Sequence, residues 1–368
     1  MSAPRLVIDL EKIEHNARTL VNRLARHAIR VTGVTKATLG APAIGRALLR
    51  AGVSGLGDSR IENLEGLRRA GVAASMTLLR SPMVSQVQRV VRHADVSFNT
   101  ELDVISGLSS AATAQGRSHG VVLMVEMGDL REGIMPADLM RVVRETLRFP
   151  NINFKGIGTN LACRSGVVPD ENNMAELSAL ADSIDTTLDS RIEIVSGGNS
   201  GNLAWALRGS DTARINDLRL GESILLGCET LHRHPIDGLH GDAITLVAEV
   251  IESKLKPSLP WGALAQGAFG EAPTAVNRGV VPQVILALGR QDSDPRGLRP
   301  PPGMEILSAS SDHLIVSAGD TLVPVGTELT FGLNYSALVR AMTSPFVEKV
   351  TRCQDAYLPL AIARPWKS

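Results

Sequence analysis

The chain has 368 residues, 38 basic against 38 acidic side chains, and a formal net charge of zero. Hydrophobic residues at 44% and charged residues at 21% are ordinary for a soluble globular protein. The length suggests two domains, and the even charge, with no run of one sign, gives no footing for nucleic acid or a membrane surface.

The opening stretch, MSAPRLVIDLEKIEH, becomes charged too early for a signal peptide. No apolar run approaches a membrane span. Cys163, Cys228 and Cys353 are far apart and odd in number, which argues against a disulfide framework and a Cys-rich zinc site. The expected setting is the cytoplasm.

A strand (RLVID) and a helix (EKIEHNARTLVNRLARHA) come first. Then eight short apolar runs follow: IRVTGVTK, VSGLGDS, SMTLLR, DVSFN, VVLMVEMG, FKGIGTNLA, IEIVSGG and INDLRLGES. Helical patterns lie between them, among them PAIGRALLRAG, IENLEGLRRAG, VSQVQRVVRHA and MAELSALADSIDTTL. Such alternation requires parallel strands with right-handed crossovers. It fits a closed (β/α)8 TIM-type barrel over residues 10–235 better than an open doubly wound sheet. From about residue 236 the texture changes. DAITLVAEVIESKLK, VPQVILALG, EILSASSDHLIVSAG and ELTFGLNYSAL are β-rich and punctuated by proline and glycine. They predict a mostly antiparallel β domain over 236–368, joined by the strand within residues 1–9.

Lysine is scarce here, and Lys36 ends the first barrel run. In a barrel of this class the working groups sit at the C-terminal strand ends. A lysine there faces the mouth, where desolvation makes its amine a nucleophile. Elsewhere the bland alternative, an amine reaching solvent or a carboxylate, would hold. Runs seven and eight lead into SGGNSGNLAWAL and LRLGESILLG. Gly197, Gly198 and Gly201 let backbone N–H groups approach an anion, and Asn199 and Ser200 add donors. The same letters also spell an ordinary turn. Run five ends in EMGDLREG, where Arg131 could hold a carboxylate or phenolate; run six ends in GTNLACRSG, with Asn160 and Cys163. A lysine facing a phosphate cradle suggests pyridoxal 5'-phosphate held as a Schiff base. His232, His234 and His240 lie in LHRHPIDGLH, with nothing nearby to complete a metal set.

The order VTK, MGDLREG, GGNS and RLGE, followed by a β domain, resembles the fold-type III PLP enzymes, the alanine racemase-like group. The wording DSRIENL, SGGNSGN, LRLGESILLG, LGRQDSD and SASSDHLIV looks most like their ornithine racemase branch. The resemblance covers nearly the whole chain. It implies a homodimeric PLP-dependent racemase of a basic amino acid, ornithine first. Lys36 would carry the cofactor and act as one acid/base group. Asn199, Ser200, Gly221 and Tyr335 would bind the phosphate, and Arg131 would orient the cofactor and the substrate carboxylate. Arg219 would face the pyridine nitrogen and keep it unprotonated, which weakens the electron sink and suits rapid reprotonation. Glu222 is the rival for that place. The chain departs from alanine racemases in three places. Gly289–Asp292 carries no tyrosine where their second base stands, Met124 replaces a strand lysine, and Asn160 replaces a histidine. The second acid/base is then Cys163, Asp292, Asp312 or His313, with the two aspartates also suited to a substrate amine. The rivals are a basic amino-acid decarboxylase and a non-catalytic PLP-binding protein.

Overall fold

The computed structural model describes residues 2–189, 191–208, 211–270, 276–319, 322–353 and 356–362. Strand β1 (Arg5–Asp9) runs straight into the helix Leu10–Ala25. That helix buries Ile13, Ala17, Leu20 and Leu24, the single stripe expected of an amphipathic helix.

Eight parallel strands then close into a barrel: β2 (Arg30–Val34), β3 (Gly55–Asp58), β4 (Met76–Leu78), β5 (Val96–Asn99), β6 (His119–Met124), β7 (Ile152–Gly158), β8 (Ile194–Gly198) and β9 (Asp217–Leu220). Each pairs with the next in the chain, and β9 returns to β2 with Thr32 opposite Arg219. All eight apolar runs of the sequence become barrel strands. The helix Glu171–Leu188 starts three residues before the apolar pattern does. A capping box explains the extension: Asp170 accepts from the Asn173 N–H at 2.9 Å, and the Asn173 side chain accepts from the Asp170 N–H at 3.0 Å.

Two compact units divide the chain, one containing Leu10–Gly241 and the other Met1–Asp9 with Asp242–Leu360. Residues 236–241, expected in the β domain, stay with the barrel. Buried Asn16 fixes them: its side chain accepts from the His240 N–H at 2.7 Å and donates to the His240 carbonyl at 2.9 Å.

The second unit is a sheet of β10 (Ile244–Pro257), β11 (Val280–Leu286), β12 (Leu298–Arg299), β13 (Glu305–Ala309), β14 (Leu314–Ser317), β15 (Glu328–Leu333), β16 (Glu348–Cys353), β17 (Ala356–Pro359) and β1. Its order is β13-β14-β11-β10-β1-β16-β17, with β15 pairing β10 and β12. Every pairing is antiparallel except β1 with β16. Leu6, Ile8, Leu246 and Phe331 are fully buried in its core. Among the described residues no helix is long and apolar enough to cross a membrane.

Candidate active site

Lys36 follows the C-terminal end of β2 and opens a short 3-10 turn, Lys36–Thr38. Water reaches its side chain, while protein crowds it on the remaining sides. Burial pushes the ammonium below its ordinary value. The guanidinium groups of Arg131 and Arg219 push the same way, and Cys163 and Asp58 oppose them. Four side chains from four strand ends thus act on one amine.

The loops after β6 and β7 bring Arg131 and Cys163 together. The Arg131 Nη1 donates to Cys163 Sγ at 2.6 Å, and the rest of its fork pairs with the neighbouring Glu132 carboxylate. Burial would lower the Arg131 guanidinium, but Glu132 and Cys163 more than restore it. Buried Asp129 fixes the pair. Its carboxylate accepts backbone N–H groups of Cys163 at 3.4 Å, Arg164 at 2.9 Å and Ser165 at 3.0 Å. Those bonds outweigh burial and hold its carboxyl below the usual range. Two loops distant in sequence are therefore stitched around one acid.

Arg219 projects from β9 into the barrel. It donates to Ser196 Oγ at 2.5 Å and to the Thr159 carbonyl at 2.6 Å, with a longer bond of 3.4 Å to Asn160 Oδ1. Its guanidinium carbon lies 5.0 Å from the Phe98 ring centroid, a cation–π contact. Phe98 packs with Met124, so the residue replacing a lysine is part of the apolar floor beneath this arginine. Burial pushes the guanidinium down to about 10, so it stays charged at neutral pH. Glu222 turns elsewhere and pairs with Arg233.

Beyond β8 the glycine-rich turn is tightly packed. Gly198 has φ +146, and a Cβ there would lie 2.1 Å from Asn202 Oδ1. The Asn199 side chain is committed to the protein. It accepts from the Gly201 N–H at 2.7 Å and donates to Leu161 O at 2.8 Å and Asn160 Oδ1 at 3.1 Å. The phosphate-donor role expected for it therefore meets an amide already employed in bracing two strand ends. Ser200 Oγ lies 3.0 Å from Ser223 Oγ and accepts from the Ser223 N–H at 3.2 Å, joining the turn to the helix after Gly221.

Asn160 Nδ2 and Thr230 Oγ1, two buried polar atoms of this region, have no protein partner among the described residues. The Asn160 assignment is fixed, because its oxygen faces two donors, Asn199 and Arg219. The Thr230 hydroxyl lies 3.3 Å from where a Cβ on Gly201 would sit. Buried donors left over at the mouth are what a bound acceptor-rich group would satisfy. The residues fit a phosphate-bearing cofactor on that ground.

A family model described as "Alanine racemase, N-terminal domain" matches residues 8–227. The chain belongs to this family. It is 39% identical over 350 residues to an ornithine racemase of Acetoanaerobium sticklandii, covering 94% of this chain and 99% of that one. It is 40% identical over 352 residues to a lysine racemase of Thermotoga maritima, covering 95% and 99%. Among solved structures, an alanine racemase from D-cycloserine-producing Streptomyces lavendulae matches with a TM-score of 0.75 at 18% identity, over 96% of this chain and 98% of that one. A D-threonine aldolase from Filomicrobium marinum gives 0.75 at 16%, over 99% and 95%. At such identity the last two speak for the fold alone.

In this alanine racemase family member the remaining expected site residues belong to the sheet unit. Asp292 is buried and accepts from the Gly289 N–H at 3.0 Å and the Ser344 hydroxyl at 3.3 Å, which gives it a turn-bracing task. Asp312 accepts from Gln291 at 2.9 Å and Ser311 at 2.8 Å, and His313 Nδ1 lies 3.4 Å from Ser310 Oγ; both residues are exposed. Tyr335 starts the helix Tyr335–Thr343. Of the three histidines singled out, His240 packs on His15 with ring centroids 4.8 Å apart, and His232 lies 5.7 Å from His234. Among the described residues no group of three or more metal-binding side chains forms.

Sequence reasoning did not single out Asp58, Asp129, Ser196, Asp217 or Thr230. Asp58 and Asp129 sit inside motifs already quoted, DSRIENL and MGDLREG, so attention to buried acids there would have found them. Thr230 carries no local signal. A cavity of about 110 Å³, lined by Thr32, Ser54, Thr77, Phe98, Asp217 and Arg219 among others, reaches the N-terminal strand ends, away from Lys36. It has room for a few waters beneath Arg219 and is not the reaction site.

Proposed function

We propose that this chain is a PLP-dependent racemase that interconverts the L- and D-forms of a basic amino acid, ornithine foremost. One observation carries the reading: a lysine that follows the end of β2 at the barrel mouth, open to water on one side, on whose amine Arg131, Cys163, Asp58 and Arg219 converge from four other strand ends. The near full-length relatives named ornithine and lysine racemase support the basic side chain, and favour racemisation over decarboxylation.

Lys36 would hold the cofactor covalently, and Ser200, Gly201, Gly221, Thr230 and Tyr335 would surround its phosphate. The bound group would supply a sink for the electron pair left at the substrate Cα. Arg219 would donate a hydrogen bond to the ring nitrogen, with Asn160 beside it; Glu222, paired with Arg233, is spent. Arg131 would bind the substrate carboxylate. Lys36 would move the Cα proton on one side. For the other side we choose Cys163, the one candidate that the barrel mouth itself holds against Arg131. Asp312 and His313 would then read the substrate's distal amine.

The protein would work as a cytoplasmic homodimer, the sheet unit of one copy completing the mouth of the other. The segment between β10 and β11 supports a second copy as its cover: Leu259, Trp261 and Leu264 are exposed there, Trp261 to 83%.

Deuterium exchange at Cα, screened over L- and D-amino acids with the PLP-loaded protein, tests the reading. Exchange with ornithine or lysine from both enantiomers supports it. Carbon dioxide release without exchange would mean the decarboxylase. Borohydride reduction should fix the cofactor to Lys36, and fixation elsewhere would overturn the site.

A further inference from the structure

We infer that Asp58 is a positioning residue for Lys36: the buried DSRIEN turn is the mould in which the lysine's turn is cast. The inference rests on the reading of Lys36 as the cofactor-bearing amine. It gives a task to a motif that the reaction otherwise leaves unused.

Asp58 ends β3 beside the end of β2 and is fully buried. Its Oδ2 accepts from the Thr35 hydroxyl at 2.7 Å, and Thr35 is the residue directly before Lys36. Its Oδ1 accepts from the Arg60 N–H at 2.9 Å and Asn63 Nδ2 at 3.0 Å. Thr35 is held again by its N–H, which donates to Gly57 O at 2.9 Å. Its carbonyl receives the Thr38 N–H at 3.0 Å and the Gly40 N–H at 3.2 Å, which fixes the turn that Lys36 opens. The two turns are packed without slack. At Gly40, with φ +61, a Cβ would lie 2.7 Å from the Asn63 Cβ. One carboxylate therefore clamps both turns, and a lysine whose backbone cannot shift presents its amine from a fixed root.

Charge adds a second coupling. The groups acting on Lys36 are Cys163, Arg131, Asp58 and Arg219, and Asp58 is one of the two that favour the ammonium. Those facing Asp58 are the Thr35 hydroxyl, the Arg60 and Ser59 N–H groups and the Asn63 amide. Burial pushes the Asp58 carboxyl up to about 6. Its charge, and so its help to the ammonium, would be lost below that pH.

The test uses the full chain, with and without PLP. In the cofactor-free protein, competitive amine labelling of Lys36 is followed against pH by mass spectrometry, with Lys155 as the internal control. Asp58→Asn should move the Lys36 labelling midpoint to lower pH and leave Lys155 in place. Thr35→Val, which keeps the shape and removes the tie, should slow borohydride-trapped attachment of PLP to Lys36 about tenfold. Unchanged labelling and attachment in both variants would overturn the inference. If wild type never attaches PLP at Lys36, the functional reading fails, yet the labelling shift in the cofactor-free protein still decides whether Asp58 governs the amine.

Discussion

Arg219 and Asp217 stand two residues apart on β9, and the Ser196 hydroxyl of β8 joins them. Ser196 receives the arginine's N–H at 2.5 Å and donates to Asp217 Oδ2 at 2.5 Å. Thr32 holds the other carboxylate oxygen at 2.7 Å. The buried cation is thus balanced at one remove, through a neutral bridge. Asp217→Asn should leave Arg219 without compensation and cost about 3 kcal/mol in a urea titration. Ser196→Ala removes the bridge and keeps both charges, and should cost about 2 kcal/mol. Equal stability for all three proteins would dismiss the relay.

The second acid/base choice is open to a one-sided experiment. Cys163→Ala should cut racemisation at least a hundredfold. Exchange of the Cα hydrogen should survive for one enantiomer alone, the one Lys36 serves. Symmetric slowing of both enantiomers would move the role to the sheet unit, with Asp312 or His313 next in line.

Two buried groups pull stability in opposite directions between about pH 4 and 6. His119, bonded to Ser97 Oγ at 2.7 Å, is pushed down from 6.5 to about 4 by burial. Below pH 6.5 the unfolded chain takes up a proton that the folded chain refuses, so this contribution falls as pH drops toward 4. Asp58 is pushed up from 3.8 to about 6. The folded chain takes that proton first, so this contribution is full below 3.8 and is lost as pH rises through 6. Each slope is about 1.4 kcal/mol per pH unit, and the two nearly cancel. Asp58→Asn should make the protein weaken on acidification from pH 6 to 4.5, and His119→Gln should make it strengthen. Urea midpoints at the two pH values check this, and parallel behaviour to wild type would refute it.

Gly198→Ala should be severe for its size. The backbone there lies where side chains strain, and the new methyl would meet Asn202 Oδ1. Asn202 donates to Gly197 O at 2.9 Å and its oxygen accepts the Asn199 N–H at 3.1 Å, so displacing it opens the turn. A loss of about 2–3 kcal/mol is expected, with weaker PLP retention in equilibrium dialysis. Gly71→Ala is the control, since its positive φ faces open space.

The barrel was legible because each strand is a short apolar run bracketed by helical periodicity, and closure follows from counting eight. The place of Lys36 followed too, because a barrel dictates which strand ends face the mouth. What escaped depends on partners far apart in sequence. Asn199 looks like a free donor until Asn160 and Leu161 are seen beside it. Glu222 competes with Arg219 on paper, and nothing local in the sequence says that Arg233, in a loop, pairs with Glu222. Residues 236–241 read as the start of a β domain, yet Asn16, more than 200 positions earlier, holds them to the barrel.

Strand β1 sets a timetable for the chain's assembly. It is made before the barrel, but its sheet partners are Ile244–Val247 on one edge and Glu348–Arg352 on the other. At a synthesis rate of roughly 5–20 residues per second, the barrel segment is complete while β1 still waits for both neighbours. Its buried Leu6 and Ile8 stay uncovered through that interval. A ribosome stalled after the barrel would therefore display the barrel segment with an unpaired, sticky strand N-terminal to it. The cell's folding helpers would be expected to meet this protein at residues 5–9.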